Sequence, residues 1–319
     1  MQRKIIPSAW SIGTFGLIGL LTACTAASPG GSTAPTAIGS PAPSTPGSIA
    51  SPAASTSEDM LADLDIGGRT MHILCVGPTD PAKPTVIFES GLGGDAGQWS
   101  DVLHELGGST RACAYDRAGA GNSEPATVGR TTEDQVADLR ALLAVAKVPP
   151  PYILVGHSVG GWNVMVHAAS HPADVVGAVM VDVRPPAASQ RWLEALPPPS
   201  ATESEAIAMA RDESTTFDTD PTLNPEGLRL AESAAQAIAT KGFGDKPLIV
   251  LAAAETSALA EGFDPTLGAR MVGIWWDLQQ DLASRSTRGR LVKVENSSHE
   301  MPIDRPDAIA DAIREIEGD

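Results

Sequence analysis

The chain has 319 residues, enough for one large α/β domain or two small ones. Its formal net charge is −17 and its pI is about 4.7, which argues against a nucleic-acid partner and against charge-driven binding to anionic lipid. The three cysteines, Cys24, Cys75 and Cys113, form no Cys-x-x-Cys pair, and no His/Cys pair has zinc spacing. A structural metal is therefore not expected.

Arg3 and Lys4 precede a mainly apolar run from Ile5 to Leu21. Pro7, Gly13, Gly16 and Gly19 interrupt it, so it suits a signal-peptide core better than a stable spanning helix. It ends in Leu21-Thr22-Ala23-Cys24, which resembles the bacterial lipoprotein signal. That resemblance implies a signal over residues 1–23, cleavage before Cys24, a diacylglyceryl group on its sulfur and a place on the outer face of a membrane. Several fatty chains on one residue give the stable anchoring that a single chain does not. The competing reading is an ordinary secretory signal cleaved near Ala23 or Ala27. Residues 24–58 are almost all Ala, Ser, Thr, Pro and Gly. Too few large apolar side chains are present to form a core, and the segment reads as a flexible tether for a domain at 59–319.

From Leu61 strands alternate with helices. Leu61 to Ile66 and Arg69 to Val76 flank Gly67-Gly68 and read as a hairpin. A strand from Thr85 to Glu89 runs into Ser90-Gly91-Leu92-Gly93-Gly94, and a helix is expected over Ala96 to Leu106. Arg111 to Tyr115 is a strand ending at Asp116. The helix Thr132 to Ala146 carries Glu133, Asp134 and Asp138 toward its start, the end where the helix dipole favours acids. The apolar run Tyr152 to Val155 breaks into Gly156-His157-Ser158-Val159-Gly160, followed by a helix from about Trp162 to Ser170. Val176 to Val181 is a strand ending at Asp182. Strands Leu248–Leu251 and Arg290–Val294 and helices Arg270–Ala283 and Pro306–Ile316 complete the set. This alternation predicts a mostly parallel sheet covered on both faces.

Between Asp182 and Lys246 the alternation stops. Residues 184–246 form an insertion with Pro185, Pro186, Pro197, Pro198 and Pro199, then helical stretches near Ser204–Arg211 and Glu226–Ala239. An insertion over the carboxyl ends of strands reads either as a lid that shapes a pocket and excludes water or as a peripheral addition. Trp192 and Met209 are its candidates for lining a pocket.

Ser158 is the centre of the functional reading. A serine at a sharp strand-to-helix turn presents its hydroxyl beyond the sheet edge. Backbone crowding there demands small neighbours, here Gly156 and Gly160, and the following helix aims its first N–H groups at the same place. This elbow resembles the α/β-hydrolase family when taken with three other features. They are Glu89-Ser90-Gly91-Leu92-Gly93-Gly94, Asp116-Arg117-Ala118-Gly119-Ala120-Gly121-Asn122-Ser123, and Asn296-Ser297-Ser298-His299 after the last strand. The resemblance covers about Leu61 to the C-terminus. It implies the α/β-hydrolase fold, a mostly parallel eight-stranded sheet with helices on both faces and a helical lid insertion.

The same resemblance implies a nucleophile at Ser158, a general base at His299, and an oxyanion hole from the backbone N–H groups of Leu92 and Val159. Ser90 stands where the family usually carries His. The Gly-rich turn lacks the spacing of a phosphate-binding loop. His72, His104, His157, His167 and His171 lie within or beside regular elements, and the His157 ring is expected to point away from the Ser158 hydroxyl. Chain order places the acid between Ser158 and His299. Two positions stay open: Asp182, which we favour, and Glu255, one residue from the commonest family position, which Thr256 occupies. Family topology also sets the strands of Cys75 and Cys113 side by side. A disulfide between them suits an exported chain, and two buried free thiols are the alternative.

The chemistry this implies is cleavage of a carboxylic ester through an acyl-serine, with no metal or organic cofactor, on a small-molecule ester or lipid-like substrate. Amide or peptide hydrolysis, perhydrolysis and C–C cleavage use the same constellation. A catalytically spent, surface-tethered binding protein is the rival of another class. Dehalogenases and epoxide hydrolases of this fold carry an aspartate where Ser158 stands.

Overall fold

The computed structural model describes residues 59–127 and 129–318. The signal-type run, Cys24 and the tether lie outside the described residues. Eight strands form one sheet: β1 (Met60–Asp65), β2 (Thr70–Val76), β3 (Thr85–Glu89), β4 (Ala112–Tyr115), β5 (Tyr152–His157), β6 (Val175–Val181), β7 (Gly244–Ala253) and β8 (Ser286–Val294). Their order is β1-β2-β4-β3-β5-β6-β7-β8. β2 runs antiparallel to β1 and β4, and the remaining pairs are parallel. The edge strand β1 alternates half-buried with exposed residues, whereas β3, β4 and β5 are buried at every position. Continuous apolar runs at the centre and alternation at the edge are what a sheet covered on both faces requires.

The helices are α1 (Ser100–Leu106), α2 (Thr132–Val145), α3 (Gly160–Ser170), α4 (Ala188–Ala195), α5 (Glu205–Asp212), α6 (Leu230–Ile238), α7 (Pro265–Ala283), α8 (Met301–Asp304) and α9 (Pro306–Gly318). The period of two along β5 splits the core. Leu154 joins Leu139 and Leu142 of α2 and Trp162 and Met165 of α3 on one face. Ile153 and Val155 join Val102 and Leu106 of α1 and Ile309 and Ile313 of α9 on the other.

Several boundaries differ from the sequence reading, each for a local reason. The helix expected from Ala96 opens as a 3₁₀ turn over Ala96–Trp99, with the Asp95 carboxylate accepting the Gly97 N–H, before α1 begins. α7 starts at Pro265 because Asp264 caps it, accepting the N–H groups of Thr266 and Leu267. α6 starts at Leu230 rather than Glu226. The Asn224 side chain grips both the N–H and the C=O of Leu228 and holds that stretch as a turn. α4 was not expected at all. Pro185 and Pro186 precede it and Pro197–Pro199 follow it, so the prolines bound a helix instead of preventing one.

The insertion between β6 and β7 has its own apolar cluster. Ala188 and Trp192 of α4 pack against Met271, Ile274, Trp275 and Leu278 of α7. The Trp192 and Trp275 rings stack, with centroids 6.3 Å apart and planes at 14°. Trp192 is thus a packing residue. α5 buries no side chain, and its Met209 is exposed.

The antiparallel register of β2 and β4 sets Cys75 opposite Cys113, and a disulfide joins them. The cysteines are 38 residues apart in sequence. On the loop-entropy account, replacing both by alanine lowers the unfolding free energy by roughly 4 kcal/mol, measurable by urea denaturation beside the oxidised wild type. Free alkylation of both thiols in an unreduced digest would contradict the bridge.

Candidate active site

Ser158 sits between the end of β5 and the start of α3 with φ at 53°. That left-handed conformation is uncommon outside glycine and persists only where packing enforces it. The enforcement is visible at its neighbours. A Cβ on Gly160 would lie 2.4 Å from the carbonyl oxygens of both Glu89 and Ser90, and one on Gly161 would lie 2.3 Å from Val183 Cγ2. The Ser158 N–H donates to the Val181 carbonyl (3.2 Å), and the Ser158 carbonyl accepts from the Gly161 N–H (3.1 Å). The turn is wedged between the ends of β3 and β6.

Asp182 follows β6 directly. Its own backbone is left-handed, with φ at 38°. Its N–H donates to the Leu251 carbonyl (2.7 Å), and its Oδ1 accepts the Ala253 N–H (2.9 Å). The other oxygen, Oδ2, lies 2.7 Å from His299 Nδ1. His299 Nε2 in turn lies 3.1 Å from Ser158 Oγ. A carboxylate at Nδ1 holds the proton there and leaves the Nε2 lone pair facing the hydroxyl. Glu255 is outside this chain. It is fully exposed, and its carboxylate accepts the Ser257 N–H at 2.8 Å.

The segment after Asp182 is pinned twice. The Val183 carbonyl accepts from Gln279 Nε2 at 2.8 Å, and the Arg184 carbonyl accepts from Trp162 Nε1 at 2.6 Å. The Arg184 guanidinium pairs with Asp218 in the insertion.

The loop after β3 is held by side chains on three sides. Ser90 Oγ donates to the Asp95 carbonyl (2.9 Å) and accepts from Trp99 Nε1 (3.0 Å), so the residue in the family's usual His position locks the loop to the next turn. Arg117 donates to the carbonyls of Ser90 and Gly91, each at 2.5 Å. Glu226, from the insertion, receives Arg117 Nε at 2.8 Å and Nη2 at 2.7 Å, Gln135 Nε2 at 2.8 Å and the Gly93 N–H at 2.7 Å. The Gly91 carbonyl shares its peptide with the Leu92 N–H, so the guanidinium fixes that plane and polarises that donor. Among the described residues the loop's hydrogen bonds use the N–H groups of Gly91, Gly93 and Gly94, and none uses that of Leu92. Val159 follows Ser158 directly and is the N-cap residue of α3.

The ion pair under this loop is deeply buried. Burial alone would raise the Glu226 carboxyl, but Arg117, the Gly93 N–H and Gln135 outweigh it and hold it below the ordinary 4.5. Glu89 goes the other way. Burial pushes its carboxyl up, against Arg117, Asn163 and Tyr115. None of the motifs quoted from the sequence singled out Gln98 or Glu226. Asp116 is structural, its carboxylate accepting the N–H groups of Ala96 and Asn122. Among the described residues no group of three or more His, Cys, Asp and Glu side chains is arranged to hold a metal ion, and no helix is long and apolar enough to cross a membrane.

A mostly parallel eight-stranded sheet with a serine at the strand-to-helix turn of its central strand is the architecture of the α/β-hydrolases. The sequence matches the Alpha/beta hydrolase family over residues 86–312, and the chain belongs to that family. It is 27% identical over 233 residues to the uncharacterized protein YqjL of Bacillus subtilis, a match that covers 73% of this chain and 83% of that protein. Among solved structures it is similar to the enol-lactonase from Burkholderia xenovorans, with a TM-score of 0.54, 20% identity, and coverage of 81% of this chain and 100% of that one. It is also similar to a haloalkane dehalogenase from Bradyrhizobium elkanii, with a TM-score of 0.54, 16% identity, and coverage of 82% and 97%. At such identities the structural likeness speaks for the fold.

Replacing Glu226 by Ala takes away the nearer of the two carboxylates on the buried Arg117 guanidinium, leaving Glu89 at 3.5 Å, and is expected to cost about 3–5 kcal/mol of stability. The pH dependence has a definite sign. Because the folded-state pKa of Glu226 is depressed, its contribution is present above the ordinary value of about 4.5 and is lost as pH falls through the lower folded value. Urea midpoints across the acidic range check both points, and Glu226→Gln removes that part of the acid dependence.

Proposed function

We propose that this protein is a serine hydrolase that cleaves carboxylic esters through an acyl-serine intermediate. The observation that carries this reading is the continuous chain from Ser158 Oγ to His299 Nε2 at 3.1 Å and from His299 Nδ1 to Asp182 Oδ2 at 2.7 Å. In this mechanism His299 takes the Ser158 proton as the oxygen attacks the ester carbonyl. The Leu92 and Val159 N–H groups receive the developing oxyanion, typically worth a few kcal/mol per donor. His299 then passes the proton to the departing alcohol, leaving Ser158 acylated. Water gives its proton to His299 and attacks the acyl-serine, releasing the acid and restoring the Ser158 hydroxyl. Asp182 stays ionised throughout and stabilises the imidazolium. Lactone and haloalkane chemistries both occur on this fold, so the fold alone does not choose between them. The hydroxyl at residue 158, in place of a carboxylate, favours acyl transfer.

In the same reading the substrate is a small-molecule or lipid-like ester, and the insertion acts as a lid. Its α4 and its Asn224–Gly227 turn are docked, while α5 buries no side chain fully and rests on the α4–α7 cluster through the half-buried Ile207 and Ala210, so it is the segment we assign to movement over the site. The export reading belongs here as well: lipidation at Cys24 and a tether over residues 24–58 would hold the enzyme on the outer face of a membrane.

Three measurements test these proposals. A fluorophosphonate probe should label wild type and not Ser158→Ala. On p-nitrophenyl esters of graded chain length, Asp182→Asn should lose roughly 10⁴-fold in kcat, while Glu255→Gln stays near wild type. The reverse pattern would move the acid to Glu255, and no labelling of folded wild type would remove the enzymatic reading. For the anchor, Cys24→Ser should release the protein from the membrane fraction and abolish incorporation of a fatty-acid label.

A further inference from the structure

We propose that Gln98 and His157 are positioning residues that tie the base His299 to the oxyanion loop through one chain of hydrogen bonds with a single allowed polarity, a role that rests on the serine-hydrolase reading above. The chain starts at the Gly91 N–H. A backbone N–H can only donate, so the Gln98 atom 2.9 Å away must be its carbonyl oxygen, Oε1. That orients the amide and turns Nε2 toward His157 Nδ1, at 3.0 Å. An amide nitrogen donates and does not accept, so Nδ1 must be the bare ring nitrogen. The ring proton is then on Nε2, which lies 2.7 Å from the His299 carbonyl and donates to it. Every orientation is dictated by the one before, and both ends are backbone groups whose roles cannot change.

The surroundings support a neutral ring locked in this state. His157 is 2% exposed. Burial first, and then the nearby charge of His299, hold its pKa well below the ordinary histidine range. A Cβ on Gly91 would lie 2.9 Å from His157 Nδ1, so the loop touches the ring directly. The His157 and His299 rings lie 4.7 Å apart, centroid to centroid. His299 sits in a loop with no regular structure, just past Asn296 with φ at 57°. Asp182 holds its ring and His157 holds its backbone. Gly91 adjoins the Leu92 peptide, so the placements of the base and of one oxyanion donor share a single rigid path. Among the described residues the side-chain hydrogen bonds of Gln98 and His157 run along this chain, so their effect falls on the reacting geometry and not on substrate affinity.

The test combines spectroscopy with kinetics on the full-length protein. In ¹⁵N NMR, wild-type His157 should be the neutral tautomer with a proton on Nε2 and none on Nδ1. Gln98→Glu keeps the shape but places a second acceptor at Nδ1, and should draw a proton onto that nitrogen. Gln98→Leu cuts the chain. Both variants should lose roughly ten- to a hundredfold in kcat with KM little changed, as expected for small misplacement of reacting groups. A wild-type His157 protonated on Nδ1, or a folded Gln98→Leu with wild-type kcat, overturns the proposal. If Gln98→Leu does not fold, the wild-type tautomer and the isosteric Gln98→Glu still decide. Fluorophosphonate labelling separates the two levels. An unlabelled wild type defeats the hydrolase reading, whereas equal labelling rates in wild type and Gln98→Leu defeat this inference alone.

Discussion

The constraint on which this structure turns is steric. Ser158 holds a backbone conformation that an L-residue resists, and it does so because α3 is driven hard against the ends of β3 and β6. The contacts at Gly160 and Gly161 leave no volume for a methyl group. A large, doubly covered sheet supplies the packing that keeps such a turn from relaxing. The fully buried β3 and β5, with tryptophans 99 and 162 seated on opposite faces, are that supply. The core thus acts on the site directly, by fixing where one oxygen stands.

Parallel strands bring their carboxyl ends to one edge, and the three side chains use that fact. Ser158 follows β5, Asp182 follows β6 and His299 follows β8. No two are neighbours in sequence, yet each needs only a short loop to reach the others. Beneath them a second polar layer does different work. Arg117 and Glu226 set the peptide planes of the Gly-rich loop, and the carboxylate comes from the insertion. The insertion is therefore part of the foundation of the site at one end, while α5 rests half-buried on the α4–α7 cluster at the other. Desolvating a guanidinium is costly, and a matched carboxylate with further donors offsets it.

The legible parts of the sequence were those with a local signature. β3, β5 and β6 read as strands because each is an apolar run ended by small or acidic residues. Ser158 and His299 stood out by position, one in an elbow and one after the last strand, and the structure sets them within hydrogen-bonding reach. The acid was left between two positions because chain order restricts it without choosing. The choice depends on how β6 lies beside β7, where the Ala253 N–H meets the Asp182 carboxylate. β7 and β8 read short at their starts because Gly244–Lys246 and Thr287–Gly289 are polar or exposed. Glu226 looked like a helix start, and its partner Arg117 is 109 residues away in sequence. No local pattern encodes such a pair. Gln98 was silent for the same reason, since its meaning lies in two partners outside its own turn, Gly91 and His157.

The double anchorage just beyond Asp182 has a mechanical consequence. Gln279 and Trp162 grip the carbonyls of Val183 and Arg184 before the chain departs into the insertion. Motion or remodelling further out is thereby insulated from the carboxylate that steadies the imidazole.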